Sequence, residues 1–225
     1  MRRTLLLAVT AALLSGCGSG EATLSKGSSS ADGPALVCQE PPEPPSAPLS
    51  FTPADLPDPV SPDPATVPAI ITTTCGDIEL QLEAALAPQT VASFAFLAEQ
   101  GYWDDSPCHR LTTSGIFVLQ CGDPTGTGRG NPGYGYGIEN APADGSYPPG
   151  TLAMARTMDP DSNGGQFFIV YADTRLPTDG GGYSVFGRVT DGLEIVEALA
   201  AQGARGGSDG APAQPISILS VTVDG

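Results

Sequence analysis

The chain is poor in cations. Of its 225 residues, nine are Lys or Arg and 25 are Asp or Glu, giving a formal net charge of −16 at pH 7. A surface of that sign repels phosphate, which argues against nucleic acid and anionic membrane surfaces as partners and favours solubility. Histidine occurs once, at His109. With no second histidine and no acidic cluster beside it, the pattern offers no metal site. A Walker-type lysine motif is absent. Two glycine-rich stretches match nucleotide or hydrolase motifs by letter only. Gly128-Arg129-Gly130-Asn131-Pro132-Gly133 is followed by no helical pattern, and Gly206-Gly207-Ser208-Asp209-Gly210 follows a helix rather than a strand. The N-terminal apolar run, Leu5–Leu14, falls well short of the roughly 20 residues that a membrane-spanning helix needs.

What is present centres on Cys108–Asp123. Two short apolar runs, Cys108–Leu111 and Phe117–Cys121, flank Thr-Thr-Ser-Gly, which predicts a hairpin. Arg110 and Gln120 lie in its two arms, where a purely structural strand rarely carries such residues. A third run, Gln166–Tyr171, places Gln166 and Phe168 on one strand face. Together these residues outline an apolar wall with a few fixed donors, suited to a neutral, partly apolar ligand such as a peptide.

These motifs resemble the cyclophilins, a family of peptidyl-prolyl cis–trans isomerases. The family's Phe-His-Arg, turn, Phe-Met-x-Gln-Gly-Gly-Asp, Met-Ala-Asn-Ala and Gly-Ser-Gln-Phe-Phe-Ile correspond here to His109-Arg110, Phe117 to Asp123, Met154-Ala155 and Gly164 to Ile169. They occur in the family's order between about Ala69 and Val223. The turn between Arg110 and Phe117 is longer than the family's usual one. Leu176 and Pro177 stand where many eukaryotic members have Trp and Leu, and Tyr183 stands at a substrate-side His.

Along the chain, Arg2-Arg3, the apolar run and Leu14-Ser15-Gly16-Cys17 resemble a bacterial lipoprotein signal ending in a lipobox. This predicts a signal peptide over residues 1–16, lipid on Cys17 and attachment to the outer face of the cell membrane. An ordinary signal peptide is the alternative. Residues 17–68 are Pro-rich and predict an extended, polyproline-like tether, with packing of Phe51 and Leu56 on the domain as the alternative. Residues 69–225 form the domain. Strands are expected at Ile70–Thr74 and Ile78–Leu82, and a helix from about Pro88 to Gly101 with Val91, Phe94, Leu97 and Ala98 on one face. Further strands, a second helix at about Leu193–Ala200 and a closing strand at Ile216–Val223 complete it. Many strands with two separated helices predict a mainly β fold. The resemblance implies a closed eight-stranded antiparallel barrel capped by two α-helices. After lipidation four cysteines remain. In an exported chain they allow three pairings. Equivalent positions on the hairpin arms favour Cys108–Cys121, leaving Cys38–Cys75, with free thiols as the alternative.

The resemblance also implies roles. Arg110 donates to the proline nitrogen of a twisted amide, Gln120 supports it, and Phe117, Phe168 and Met154 hold the proline ring. Ala155 and Arg156 contact the peptide chiefly through backbone, Gln166 lines a neighbouring pocket, and Leu176, Pro177 and Tyr183 complete the substrate side. His109 is expected to be a hydrogen-bonded support. Read without the resemblance, the Phe residues are core and the Gln residues strand caps. The implied activity is isomerisation of X–Pro bonds in extracytoplasmic proteins, by a monomer that needs no cofactor and no metal. A proline-peptide-binding module without catalysis is the alternative.

Overall fold

The structure, a computed structural model, describes residues 36–224. The signal segment, Cys17 and the rest of the expected tether up to residue 35 lie outside the described residues. In chain order the strands and helices are β1 (Val67–Thr73), β2 (Gly76–Leu82), α1 (Pro88–Glu99), β3 (Ser106–Pro107), β4 (Arg110–Thr112), β5 (Val118–Cys121), β6 (Ser146–Tyr147), β7 (Thr151–Met154), β8 (Phe167–Val170), β9 (Thr174–Arg175), β10 (Val185–Asp191), α2 (Leu193–Gln202), β11 (Asp209–Gly210) and β12 (Ser217–Val223).

Alternation decides the long hairpin. Ala69, Ile71, Thr73 of β1 and Ile78, Leu80, Leu82 of β2 are buried on one face, as a period of two requires. The two strands pair in unbroken antiparallel register from Val67↔Leu82 to Thr73↔Gly76, so the turn is Thr74-Cys75 and Gly76-Asp77 already belongs to the returning strand. Helix α1 starts at Pro88, whose fixed φ suits a first turn. Ala87 cannot cap it, and a carboxylate from elsewhere does so: Glu139 accepts from the N–H groups of Gln89 and Thr90 at 3.1 and 2.7 Å. Negative charge there also complements the helix dipole. The buried face of α1 brings Phe94 to 4.7 Å from Trp103, 5.2 Å from Phe186 and 5.7 Å from Phe167, centroid to centroid. Ile195, Val196 and Leu199 of α2 are buried against the same core.

The sheet corrects the expectation of a closed eight-stranded barrel. Its order is β11-β4-β5-β8-β7-β10-β2-β1-β12-β3, curled but open. Eight of these strands are joined by two-residue edges at either end, β11 on β4 and β3 on β12. β3 and β4 are separated in sequence by Cys108 and His109 alone. The chain itself therefore links β3 at one end of the order to β4 beside the other end, and Cys108 donates its N–H to Ile216 rather than extending a ladder between β3 and β4.

From Leu36 onward the expected tether lies on the domain. Cys38 is bonded to Cys75, and Gln39 N–H donates to Thr74. Phe51 N–H donates to Pro132, and its ring sits 5.0 Å from Phe96 and 6.4 Å from Tyr134. Gln89 Nε2 donates to the Pro57 carbonyl at 2.9 Å, and Leu36, Leu56 and Val60 also pack on the core. Proline removes donors but leaves carbonyls and apolar rings free to pack. The widely spaced apolar residues show no period, so composition alone reads as a spacer.

Candidate active site

The site is the outer face of the β4-β5-β8-β7 part of the sheet. Register sets Arg110 opposite Gln120, Gln120 opposite Phe168, and Phe168 opposite Ala153. The adjacent row, Leu111, Leu119, Ile169 and Leu152, turns inward and is buried in the core. One-residue alternation therefore separates the site from the core on all four strands. The end of β5 lies against the start of β8. At Gly122, φ is +90° and a Cβ would lie 2.2 Å from the Gly165 carbonyl oxygen, so only glycine fits.

A cavity of about 210 Å³ opens on this face, lined by Arg110, Ile116, Val118, Gln120, Ala155, Arg156, Phe168, Leu176 and Tyr183. Phe168 is buried in one apolar cluster with Val118, Ala153 and Tyr147. A second cavity, about 370 Å³, shares Gln120, Ala155 and Arg156 with the first and extends over Gly128–Asn131 and Gly164–Gln166. Asp123 holds the Gly128–Asn131 wall. Burial opposes its charge, but hydrogen bonds from the backbone N–H of Gly130, from Thr125 and from Thr127 keep its carboxyl down at about 2. The Arg129 N–H also donates to it at 3.0 Å.

One hydrogen-bonded chain crosses both cavities. Gln166 Nε2 donates to the carbonyls of Gly128 and Gly130 at 3.1 and 2.9 Å. Gln120 Nε2 donates to Gln166 Oε1 at 2.9 Å, and Arg110 Nη1 donates to Gln120 Oε1 at 3.2 Å. On its other edge, Arg110 donates from Nε and Nη2 to the two carboxylate oxygens of Asp209, each at 2.8 Å. This contact pushes the Arg110 pKa further up and the Asp209 pKa down. Arg156 is held by the Gly182 carbonyl at 2.6 Å, with its guanidinium 5.0 Å over the Tyr183 ring.

The structure brings Arg110, Gln120, Phe168, Ala155, Arg156, Leu176, Tyr183 and Gln166 together, and it leaves three expected residues out. The Phe117 ring packs on Tyr171 at 5.9 Å and does not line the cavity. Phe117 has the parity of Leu119, so Ile116 and Val118 take the face shared with Gln120. The longer turn permits this shift. Met154 is 2% exposed and points into the core with Leu152, on the side opposite Ala153. Pro177 lines neither cavity. His109 also departs from expectation. Its two ring nitrogens are buried without a hydrogen-bond partner among the described residues, and burial pushes its pKa down. Period-two parity counted from Gln120 is enough to place Phe117 on the inner face, whereas Met154 is placed only by the β7–β8 register. No sequence signal pointed to Asp209, 99 residues from Arg110.

A family model described as "Cyclophilin type peptidyl-prolyl cis-trans isomerase/CLD" matches residues 69–223. "Probable peptidyl-prolyl cis-trans isomerase B" of Mycobacterium tuberculosis is 44% identical over 205 residues, covering 83% of this chain and 64% of that protein. The protein of the same name from Mycobacterium leprae is 45% identical over 199 residues, covering 80% and 65%. The chain thus spans less than two thirds of the length of these relatives. A crystal structure of a Cryptosporidium parvum cyclophilin-type peptidyl-prolyl cis-trans isomerase aligns with TM-score 0.60 at 29% identity, over 71% of this chain and 98% of that one. The same protein crystallised in the presence of the dipeptide Ala-Pro aligns with TM-score 0.59.

Proposed function

The chain belongs to the cyclophilin-type peptidyl-prolyl cis–trans isomerase family, and on that premise we propose that it catalyses rotation about X–Pro bonds in proteins outside the cytoplasm. The observation that carries this reading is the placement of Arg110 on the wall of a cavity that it shares with the buried Phe168 and with Ile116, Val118 and Leu176. The reaction makes and cuts no bond. Its barrier, about 18–20 kcal/mol, is the loss of amide resonance. As the amide twists, the proline nitrogen regains a lone pair and becomes an acceptor. An N–H of Arg110 donates to it there, and has little to bond in the planar ground state. Interactions of that kind raise turnover rather than affinity. Phe168, Val118, Ile116 and Leu176 supply the apolar surround for the ring. Gln120 holds one Nη of Arg110, and Gln166 holds Gln120. The neighbouring cavity takes another side chain of the peptide, beside Ala155 and Arg156.

The test is cis–trans exchange on a short Ala-Pro peptide, by magnetisation transfer or a protease-coupled assay. Acceleration over the uncatalysed rate supports the reading. Peptide binding without acceleration moves it to a non-catalytic proline-binding module.

The rate is expected to stay nearly flat from about pH 6 to 8. Arg110 is driven further above its ordinary range by Asp209, and Asp209 further below its own by Arg110, so both stay charged across that window. His109, whose pKa burial pushes down, is assigned no proton transfer in this scheme. A step or bell in kcat/KM inside the window would assign a proton transfer and contradict the scheme.

We also place the mature protein on the outer face of the cell membrane, anchored by lipid on Cys17. Leu14-Ser15-Gly16-Cys17 after a short apolar run supports this, as do two disulfides, which persist in oxidising compartments. Two or more acyl chains anchor stably where one does not. Cys17→Ala is expected to move the protein from the membrane to the soluble fraction. Equal distribution of both forms would reject the anchor.

A further inference from the structure

Arg110 makes its two shortest polar contacts with Asp209, away from its glutamine support. Nε and Nη2 each donate at 2.8 Å to a separate carboxylate oxygen, against 3.2 Å for Nη1 to Gln120. A guanidinium carries five N–H groups in a rigid plane. Three are engaged by these contacts, which leaves one on Nη1 and one on Nη2 for a ligand in the cavity that Arg110 lines.

We propose that Asp209 is a positioning residue for the isomerisation: it fixes the plane of the Arg110 guanidinium so that the end of the fork faces the twisting amide. This rests on the role assigned to Arg110 above. Two independent features support it. The first is the mounting of Asp209. β11 pairs with β4, the strand that carries Arg110, with Asp209 opposite Thr112 and Gly210 opposite Leu111. Asp209 is thus the diagonal cross-strand neighbour of Arg110. The turn behind it is braced by Thr113 N–H to Ser208 O at 2.8 Å and Arg205 N–H to Ala211 O at 2.7 Å. A Cβ on Gly210 would lie 2.2 Å from the Arg205 carbonyl oxygen, so this approach requires glycine. The second is exposure. The side chains are 37% and 54% exposed, and exposed ion pairs contribute little to stability. The two-point geometry is not needed to hold the fold together, whereas it is what orients a planar donor. A donor aimed in advance pays no reorganisation cost as the amide twists.

The test is exchange kinetics on a short Ala-Pro peptide with the full-length protein, using Asp209→Ala, Asp209→Asn, Asp209→Glu, Arg110→Ala and the double variant Arg110→Ala/Asp209→Ala, each checked by thermal unfolding. Asp209→Ala and Asp209→Asn are expected to lower kcat roughly ten-fold, with KM within about two-fold of wild type. Asp209→Glu, which keeps both oxygens, should recover most of the loss. The double variant should be no slower than Arg110→Ala alone, because Asp209 acts only through Arg110. Wild-type kcat in Asp209→Ala beside an impaired Arg110→Ala overturns the inference, as does an additive loss in the double variant. Wild-type turnover in Arg110→Ala instead overturns the reading of Arg110 on which it rests.

Discussion

Arg110→Ala is expected to slow prolyl isomerisation roughly 10²–10³-fold while changing peptide affinity little. The size follows from removing one preorganised donor. The split between turnover and affinity follows from when the contact forms, since a planar amide nitrogen is a poor acceptor and a twisted one is a good acceptor. Arg110→Lys should rescue poorly. A lysine ammonium is a flexible point charge and cannot span Asp209, Gln120 and the substrate with one rigid plane. Phe168→Ala should behave differently. Phe168 is 5% exposed, lines the cavity with Val118 and packs in one cluster with Val118 and Ala153, so its loss should weaken peptide binding and turnover together. Exchange kinetics on an Ala-Pro peptide, with circular dichroism to confirm folding, separate the two patterns. A folded Arg110→Ala protein with near wild-type turnover would sink the assignment.

Replacing Cys108 and Cys121 together by Ala is expected to cost about 3 kcal/mol of stability, the loop-closure contribution for a bridge of this span. The two residues are 13 apart in sequence. In a domain of this size that corresponds to a fall in Tm of roughly 6–12 °C. Turnover should fall as well. Cys108 precedes Arg110 by two residues, and Cys121 directly follows Gln120, so the bridge ties the two strands that present the donor and its support. The Cys38→Ala/Cys75→Ala pair offers the contrast. That bridge fastens the N-terminal segment to the β1–β2 turn, remote from the cavity residues. Its loss should lower Tm with little change in kcat. Calorimetry of oxidised, reduced and variant proteins, paired with exchange kinetics, reads both effects. Equal Tm for oxidised and reduced wild type would reject the first expectation, and unchanged turnover in the Cys108/Cys121 variant would reject the second.

Much of this was legible from residues alone, for physical reasons that act locally. Alternation in Ile78–Leu82 sets which side chains are buried, whatever the strand packs against. Pro88 and Gly101 mark the ends of α1 through their own backbone preferences. The hairpin of Arg110 and Gln120 needed only a turn between two apolar runs, and Gln166 and Phe168 followed in the same way. Other features depend on which distant segments meet. Glu139 caps α1 and Asp209 grips Arg110 across long stretches of chain, and neither residue differs in sequence from an ordinary surface acid. Val60 looks like a spacer residue, and the packing of Phe51 is only one of two readings, until Phe96, Tyr134 and the start of α1 are placed beside them. The side on which Phe117 falls follows from a period of two counted from Gln120, whereas that of Met154 follows only once Ala153 pairs with Phe168. Whether the sheet closes was likewise settled in three dimensions. Cys108 and His109 carry the chain from the edge strand β3 to β4, next to the opposite edge, and the N–H of Cys108 bonds Ile216. Local sequence decides which faces are apolar and where elements begin and end. The partners of polar groups are decided by the fold, because a buried or oriented donor bonds whatever acceptor the tertiary packing delivers to it.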